Sequence, residues 1–307
     1  MNNQTLTFCV TNNRSLPLQS YLKDVIGIPK GHLHELRMSK KVMVNGENPN
    51  WTHLLKEGDR VSVPILPEDI TPIATEMDIK IIYETEHLLV INKEAGMDTH
   101  PSSDQDFRSL SNGVAHYFNN NGISSKVRHI HRLDQDTSGA ILFAKHAISG
   151  AILDRMLEER KVKRTYLALV EGIVKTPEGT IDKPIGKDRH HASRRRVSPN
   201  GQKAITHYKV VKTYPKEQLT LVELTLDTGR THQIRVHMSS IGHPIYGDKL
   251  YGSKNKHHRH SLHAWKLTVP HPFNGEIVTV HAPVPRNFGP SFFKIRRTVE
   301  YYSCSQD

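Results

Sequence analysis

Apolar positions recur along this chain with two periods, and the mixture changes near residue 66. In the first stretch, Leu18, Tyr21, Leu22 and Val25 follow Ser15 at helical spacing and predict a short helix. A second helix is expected from Pro29 or Lys30 to about Lys40, with Leu33 and Leu36 inward and Lys30, Arg37, Lys40 and Lys41 outward. Val42, Met43 and Val44 then read as a strand ending in an Asn45-Gly46 turn, and Glu57-Gly58-Asp59 turns into a strand over 60–64. Residues 67–78 are acidic and carry prolines, which predicts a linker. Beyond it, strands are expected over 79–83, 88–92, 140–144, 162–170, 204–213 and 219–226. Helices are expected over 110–118, from 147 to about 159, and over 231–241. Strands outnumber helices without regular alternation, which predicts an α+β fold rather than a doubly wound sheet. The expected division is 1–66, a small αβ module; 67–78, a linker; and 79–307, a larger domain.

A chain of 307 residues has room for two such domains and a sizeable core. No apolar run approaches the ~20 residues of a membrane span, and the N-terminal stretch lacks the pattern of a signal peptide. Cys9 and Cys304 stand near opposite ends and form no metal or redox motif, so a cytoplasmic setting is expected. The formal charge of +11 favours a polyanionic partner, and RNA is the commonest inside cells. Aromatic residues make up only 7%, so stacking platforms are not prominent. Neither a GxGxxG fingerprint nor a Walker GxxxxGK[ST] is present, and no cofactor is expected. The histidines at 257, 258, 260 and 263 invite a metal reading, but Arg259 among them repels cations and no carboxylate or cysteine joins them. The pair His129 and His131 is set aside for similar reasons, so no metal is expected.

Chemistry concentrates at His131-Arg132-Leu133-Asp134-Gln135-Asp136-Thr137-Ser138-Gly139, a charged loop feeding an apolar run. This stretch resembles the signature of the RluA-type RNA pseudouridine synthases (RluA/RluD-like). Three further segments match that family in order: Asn92-Lys93-Glu94-Ala95-Gly96, with Glu94 where the family usually has proline; Arg164-Thr165-Tyr166-Leu167-Ala168-Leu169-Val170; and Gly229-Arg230-Thr231-His232-Gln233-Ile234-Arg235, continuing to His243-Pro244-Ile245-Tyr246-Gly247-Asp248. The resemblance covers about 80–285. Residues from about 12 to 66 resemble an S-four-type RNA-binding domain, on the basic second helix and the Val44-Asn45-Gly46 and Gly58-Asp59 turns.

The resemblance implies a pseudouridine synthase catalytic domain with a mixed, largely antiparallel central sheet, isomerising uridine to pseudouridine in structured RNA. Ribosomal RNA of the large subunit is the expected substrate, with tRNA as the alternative, and the enzyme is expected to be a cytoplasmic monomer. By resemblance Asp134 is the catalytic aspartate, Arg235 its ion-pair partner and Tyr166 the residue that stacks on uracil and serves as general base. Two routes stay open for Asp134: attack on C1′, or removal of the C2′ proton to give a glycal. A uridine inside a stack must be flipped out, and by resemblance Arg132 fills the gap with its planar guanidinium. Asp136 and Thr137 are read as shaping the loop. Lys30, Arg37, Lys40 and Lys41, and the run with Arg189, Arg194, Arg195 and Arg196 in an expected long loop, are candidates for RNA phosphate contact. Arg230 and Arg235, five apart, are expected on different faces of one helix. A binding or assembly factor that keeps the fold without the chemistry, and a nucleoside hydrolase, are the competing readings. Asp134, Tyr166 and Arg235 together favour an enzyme, and the basic N-terminal module argues against a small free substrate.

Overall fold

The computed structural model describes residues 4–11, 15–103, 105–255, 257–290 and 292–304. Residues 1–3 of the N-terminal stretch, and 12–14 where the RNA-binding resemblance begins, lie outside them.

Thr5–Cys9, Arg60–Pro64 and Met43–Val44 form a three-stranded antiparallel sheet, with the helix Lys30–Ser39 packed on it. Leu33 and Leu36 are buried beside Val61 and Val63, as the helical spacing requires. Asn45 and Gly46 take φ of 53° and 88°, the left-handed pair of an Asn-Gly hairpin turn. The expected first helix is irregular. Leu16–Pro17 is extended, Leu18–Ser20 is helical and Tyr21–Ile26 is a π-helical turn. The wider turn shifts the apolar face: Leu18, Tyr21 and Leu22 are buried, but Val25 is exposed, contrary to expectation. Ile148 and Ile152 of the helix Ala147–Glu158, together with Phe273, pack against this core. Residues 67–78 carry no regular structure yet are tied down. Near their start Glu68 pairs with Arg128; further on, the Asn112 side chain donates to the Ile73 carbonyl at 2.8 Å and the Val127 amide to Thr71 at 3.0 Å.

The larger part is built on a ten-stranded sheet. Eight strands run in the spatial order Glu178–Asp182, Ile205–Tyr214, Leu219–Leu226, Lys163–Glu171, Leu262–Pro270, Ser138–Ala144, Leu88–Lys93 and Ile81–Glu84. Ile277–His281 and Arg128–His129 pair onto Leu262–Pro270 and Ser138–Ala144. Every pairing is antiparallel except that of Leu262–Pro270 with Ser138–Ala144, so the fold is α+β with a mixed, largely antiparallel sheet. Ser138–Ala144 is buried along its whole length, which explains its unbroken apolar run. Gly139 has φ 119°, and a Cβ there would stand 2.2 Å from the Ala264 carbonyl oxygen. The parallel pair can therefore form only with glycine at this position.

The helices Leu110–Asn120, Ala147–Glu158 and Gln233–Ser240 lie where periodicity puts them. The last begins later than expected, because His232 takes a left-handed conformation with φ 58°. Arg230 thus sits in the preceding turn rather than on the helix. The expected long loop at 187–196 is instead a hairpin of Ile185–Lys187 with Arg195–Val197. Ile185 roots it, buried in one cluster with Val236 and Tyr251. Leu262–Pro270, Ile277–His281 and the helix Phe292–Cys304 were not anticipated. Among the described residues no helix is long and apolar enough to cross a membrane.

Candidate active site

Asp134 lies at the end of a loop clamped from two sides. On one side, Thr99 Oγ1 accepts from the Leu133 amide at 3.2 Å and donates to the Leu133 carbonyl at 3.0 Å. Lys93 is buried and gives its ammonium to the carbonyls of Glu94, Met97 and Gln135 at 2.9, 2.7 and 2.8 Å. Its pKa is pushed down to about 8 by burial, against the pull of Asp98, Asp136 and Asp134. Glu94, where the family pattern has proline, pairs with Lys80.

On the other side stands the histidine-rich segment that invites a metal reading in the sequence. Arg259 donates to the Asp136 carbonyl at 2.9 Å, His260 Nε2 is 2.8 Å from Thr137 Oγ1, and His263 Nδ1 is 2.9 Å from Ser138 Oγ. Burial pushes the pKa of His263 to about 4 and that of His260 well below the ordinary range. Neutral rings hydrogen-bonded to hydroxyls are structural brackets. Among the described residues no group of three or more histidines, cysteines or carboxylates could hold a metal ion. The Thr137 amide donates to the Asp134 carbonyl at 3.0 Å, a backbone bond in place of the local side-chain-to-backbone bonds expected of Asp136 and Thr137.

Arg235 reaches this loop from the helix Gln233–Ser240. Gln233 anchors the helix start: its oxygen accepts from Thr228 Oγ1 at 2.8 Å and the Arg230 amide at 3.0 Å, and its nitrogen donates to the Ile205 carbonyl at 2.9 Å. So fixed, the Arg235 Nη1 donates to Asp134 Oδ2 at 3.1 Å. Its Nε and Nη2 grip Asp248 at 2.7 and 3.0 Å. Burial opposes the Arg235 charge, but the carboxylates of Asp248 and Asp134 outweigh it and raise its pKa. Asp248 is buried, whereas the Asp134 side chain keeps 22% of its surface exposed. One carboxylate is thus an anchor and the other is reachable.

The reachable carboxylate faces a cleft of about 760 Å³ lined by Arg132, Tyr166, Arg164, Arg230, His232 and Arg235, among others. Tyr166 enters from Lys163–Glu171, where it pairs with Ala264 on one side and Leu224 on the other. The alternation holds: Tyr166, Ala168 and Val170 lie in one core cluster and Leu167 and Leu169 in another. Burial raises the pKa of its phenol, with Arg164 opposing and Asp134 adding to the rise. Arg132 is exposed at the cleft. Arg230 also lines the cleft, so the expectation that Arg230 and Arg235 point to different places does not hold. A larger hollow of about 990 Å³ lies between the Phe292–Cys304 helix and Trp265. It contains none of Asp134, Tyr166 and Arg235, all of which line the smaller one.

The remaining candidates do not line the cleft; they fall on or just after the helix Lys30–Ser39 and on the 185–197 hairpin. Lys30, Arg37, Lys40 and Lys41 are exposed on or just after their helix. The Arg37 guanidinium stands 5.1 Å from the Trp51 ring, a cation–aromatic contact that the low aromatic content does not suggest. On the hairpin, Arg189, Arg194 and Arg196 are exposed, with Arg194 paired to Asp188 at 2.6 Å. Arg195 is half-buried, and its amide donates to the Tyr251 hydroxyl at 2.9 Å. Sequence reading assigned no role to Asp248, Tyr251, His232, Lys93 or Arg259. Lys93, His232 and Asp248 lay within the matched motifs, whereas Tyr251 and Arg259 carried no such signal.

The chain matches the RNA pseudouridylate synthase family over residues 87–240 and the RluD ribosomal pseudouridine synthase N-terminal domain over 6–61. It is 47% identical over 270 residues to an uncharacterized RNA pseudouridine synthase of Bacillus subtilis, YhcT, covering 87% of this chain and 89% of that one. It is 34% identical over 250 residues to the ribosomal large subunit pseudouridine synthase D of Haemophilus influenzae, covering 75% of each. Among solved structures, human RNA pseudouridylate synthase domain containing 1 superposes with a TM-score of 0.59 at 29% identity, covering 72% of this chain and 89% of that one.

Proposed function

The chain belongs to the RNA pseudouridylate synthase family, and on that premise we propose that Asp134 opens the isomerisation of a uridine in large-subunit ribosomal RNA. The protein is an RNA pseudouridine synthase of the RluA/RluD type, an isomerase. In the reaction the N1–C1′ bond breaks, the uracil turns, and C5 bonds to C1′; C5 loses a proton and N1 gains one. Asp134 either attacks C1′ or takes the C2′ proton. Arg235, itself fixed by Asp248, balances the charge of Asp134 and aims it. Tyr166 stacks on the uracil and helps remove the C5 proton. A phenol is already neutral near pH 7 and burial raises its pKa further, so stacking asks only for the ring, and the hydroxyl's part is open to a direct test. Arg132 fills the space left by the flipped uridine.

The observation that carries this reading is the Arg235–Asp134 ion pair facing a cleft that also holds Tyr166 and Arg132. A binding protein has no need of a partly exposed carboxylate braced by an arginine whose other edge grips a second, buried carboxylate. Lys30, Arg37, Lys40 and Lys41, with Arg189, Arg194 and Arg196, are proposed to grip RNA phosphates. The large-subunit substrate is supported by relatives named for that activity and by the matching N-terminal domain. The setting that goes with it is cytoplasmic. Tritium release from RNA labelled at uridine C5 tests the reaction, and binding or hydrolysis alone would give none. Mapping pseudouridines in RNA from cells with and without the gene tests the substrate. Loss confined to a tRNA position would overturn the ribosomal assignment.

A further inference from the structure

The arginine-rich hairpin is joined to Asp134 by a chain of side chains. The Arg195 amide donates to the Tyr251 hydroxyl at 2.9 Å, and that hydroxyl is 2.8 Å from His232 Nδ1. The other ring nitrogen, Nε2, stands 3.8 Å from Asp134 Oδ2. The Tyr251 ring also lies 5.0 Å from the Arg235 guanidinium, so one side chain touches both neighbours of the Asp134 carboxylate.

Counting protons gives the chain a direction. The Tyr251 hydroxyl accepts from Arg195 and has one proton of its own, which it can donate to Nδ1. An imidazole that accepts at Nδ1 and is neutral carries its proton on Nε2, toward Asp134. Burial favours that neutral form, helped by Arg235 and Arg195 and opposed by Asp134 and Asp248. The backbone of His232 is left-handed, a conformation a non-glycine residue keeps only where its surroundings hold it. The last link alone is open, since 3.8 Å exceeds a hydrogen bond.

We propose that Tyr251 and His232 are positioning residues that transmit the seating of the 185–197 hairpin on RNA to Asp134. Pressure of the hairpin on Tyr251 moves His232 the roughly 0.6–1 Å that closes its contact with the carboxylate to hydrogen-bond distance. The enzyme then sets Asp134 fully only when the correct RNA is held, which ties turnover to contacts remote from the flipped base. This rests on the reading of the hairpin as a phosphate-gripping arm.

The test is a double-mutant cycle in the full chain, with RNA labelled with tritium at uridine C5 as the probe. Tyr251→Phe removes only the hydroxyl, and Arg189→Ala with Arg196→Ala removes two exposed cations of the hairpin. Tyr251→Phe should lower the rate at saturating RNA by about tenfold, the loss expected of one interaction made fully only in the reacting complex, with RNA affinity unchanged and the melting temperature lowered by only a few degrees for the unpaired Arg195 amide. The arginine variant should weaken affinity and also lower the saturating rate. In the combined variant the saturating rate should fall no further than in Tyr251→Phe alone, because the hairpin has lost its route to Asp134. Multiplicative losses in that rate, or a normal rate for Tyr251→Phe, overturn the bridge while leaving the phosphate-gripping reading intact. Unchanged affinity and salt dependence in the arginine variant overturn that reading and the bridge with it. A His232→Ala variant that melts normally yet matches Tyr251→Phe in rate supports the bridge; one with a wild-type saturating rate overturns it.

Discussion

In the cleft, Arg235 is buried and every nitrogen of its guanidinium meets a carboxylate; on and just after the N-terminal helix, Lys30, Lys40 and Lys41 stand in solvent, with no carboxylate partner among the described residues. Both regions are cationic, and the difference lies in what holds the charge. A buried cation must be compensated, so its position is fixed to within a hydrogen bond and it can orient a reacting group. An exposed cation is hydrated and mobile, so it attracts a polyanion without fixing any one atom of it. The hairpin joins the two kinds, with Arg189 and Arg196 exposed and the Arg195 amide tied into the cleft.

This contrast predicts the largest loss at Asp134. Asp134→Asn should reduce tritium release by at least about 10⁴-fold, the scale seen on losing a nucleophile or its activating partner, with RNA affinity little changed. Turnover within about tenfold of wild type would remove Asp134 from the mechanism. Tyr166→Phe should slow C5 tritium release by about 10²–10⁴ if the hydroxyl takes part as a base, with binding retained through the ring. Near-normal release in Tyr166→Phe, with failure only in Tyr166→Ala, would leave stacking as the sole role.

Asp248→Ala sharpens the comparison through stability. Leaving Arg235 half-paired in a buried site should cost about 3–5 kcal/mol, read from denaturant unfolding, whereas Lys40→Ala or Lys41→Ala should stay within about 0.5 kcal/mol. Equal effects would mean that the two regions do not differ in the way argued.

Two buried histidines predict an acid limb: His263 of the brackets, and His146, which caps the helix Ala147–Glu158 with its Nδ1 accepting from the Ser149 amide at 3.2 Å. His146 and His263 are buried with folded pKa values of about 3 and about 4, each lowered first by burial. Unfolded, each titrates near ~6.5, so between that pH and the folded value the unfolded state holds more protons. Stability should therefore be flat above about pH 6.5 and fall below it, by up to about 1.4 kcal/mol per pH unit for each histidine. A pH-independent midpoint of unfolding between pH 7 and 5 would contradict this. The smallest effect belongs to the helix surface. Replacing Lys30, Arg37, Lys40 and Lys41 by alanine should leave turnover at saturating RNA unchanged. The slope of log affinity against log salt should become shallower by up to about 0.7–0.9 for each phosphate these cations had neutralised. An unchanged slope would show that this face does not meet RNA.

Much of the fold was legible because it is local. Helical spacing located Leu33 and Leu36, and period two located Tyr166, Ala168 and Val170, since those periods follow from backbone geometry within a few residues. The π-helical turn at Tyr21–Ile26 defeated the same rule, because a changed period moved Val25 to the surface. The histidine run at 257–263 defeated composition, since its partners Asp136, Thr137 and Ser138 lie more than a hundred residues away in sequence.

By itself the sequence determined the α+β class, the alternation of apolar faces and the loop bearing Asp134. Only the tertiary structure decided which carboxylate is anchored and which is open. Asp134 and Asp248 look alike in one dimension, each a carboxylate in a turn. Arg235 reaches both, 101 residues after one and 13 before the other. Burial then separates them, because removing Asp248 from water fixes the arginine, while the cleft leaves Asp134 exposed enough to meet a base turned out of RNA.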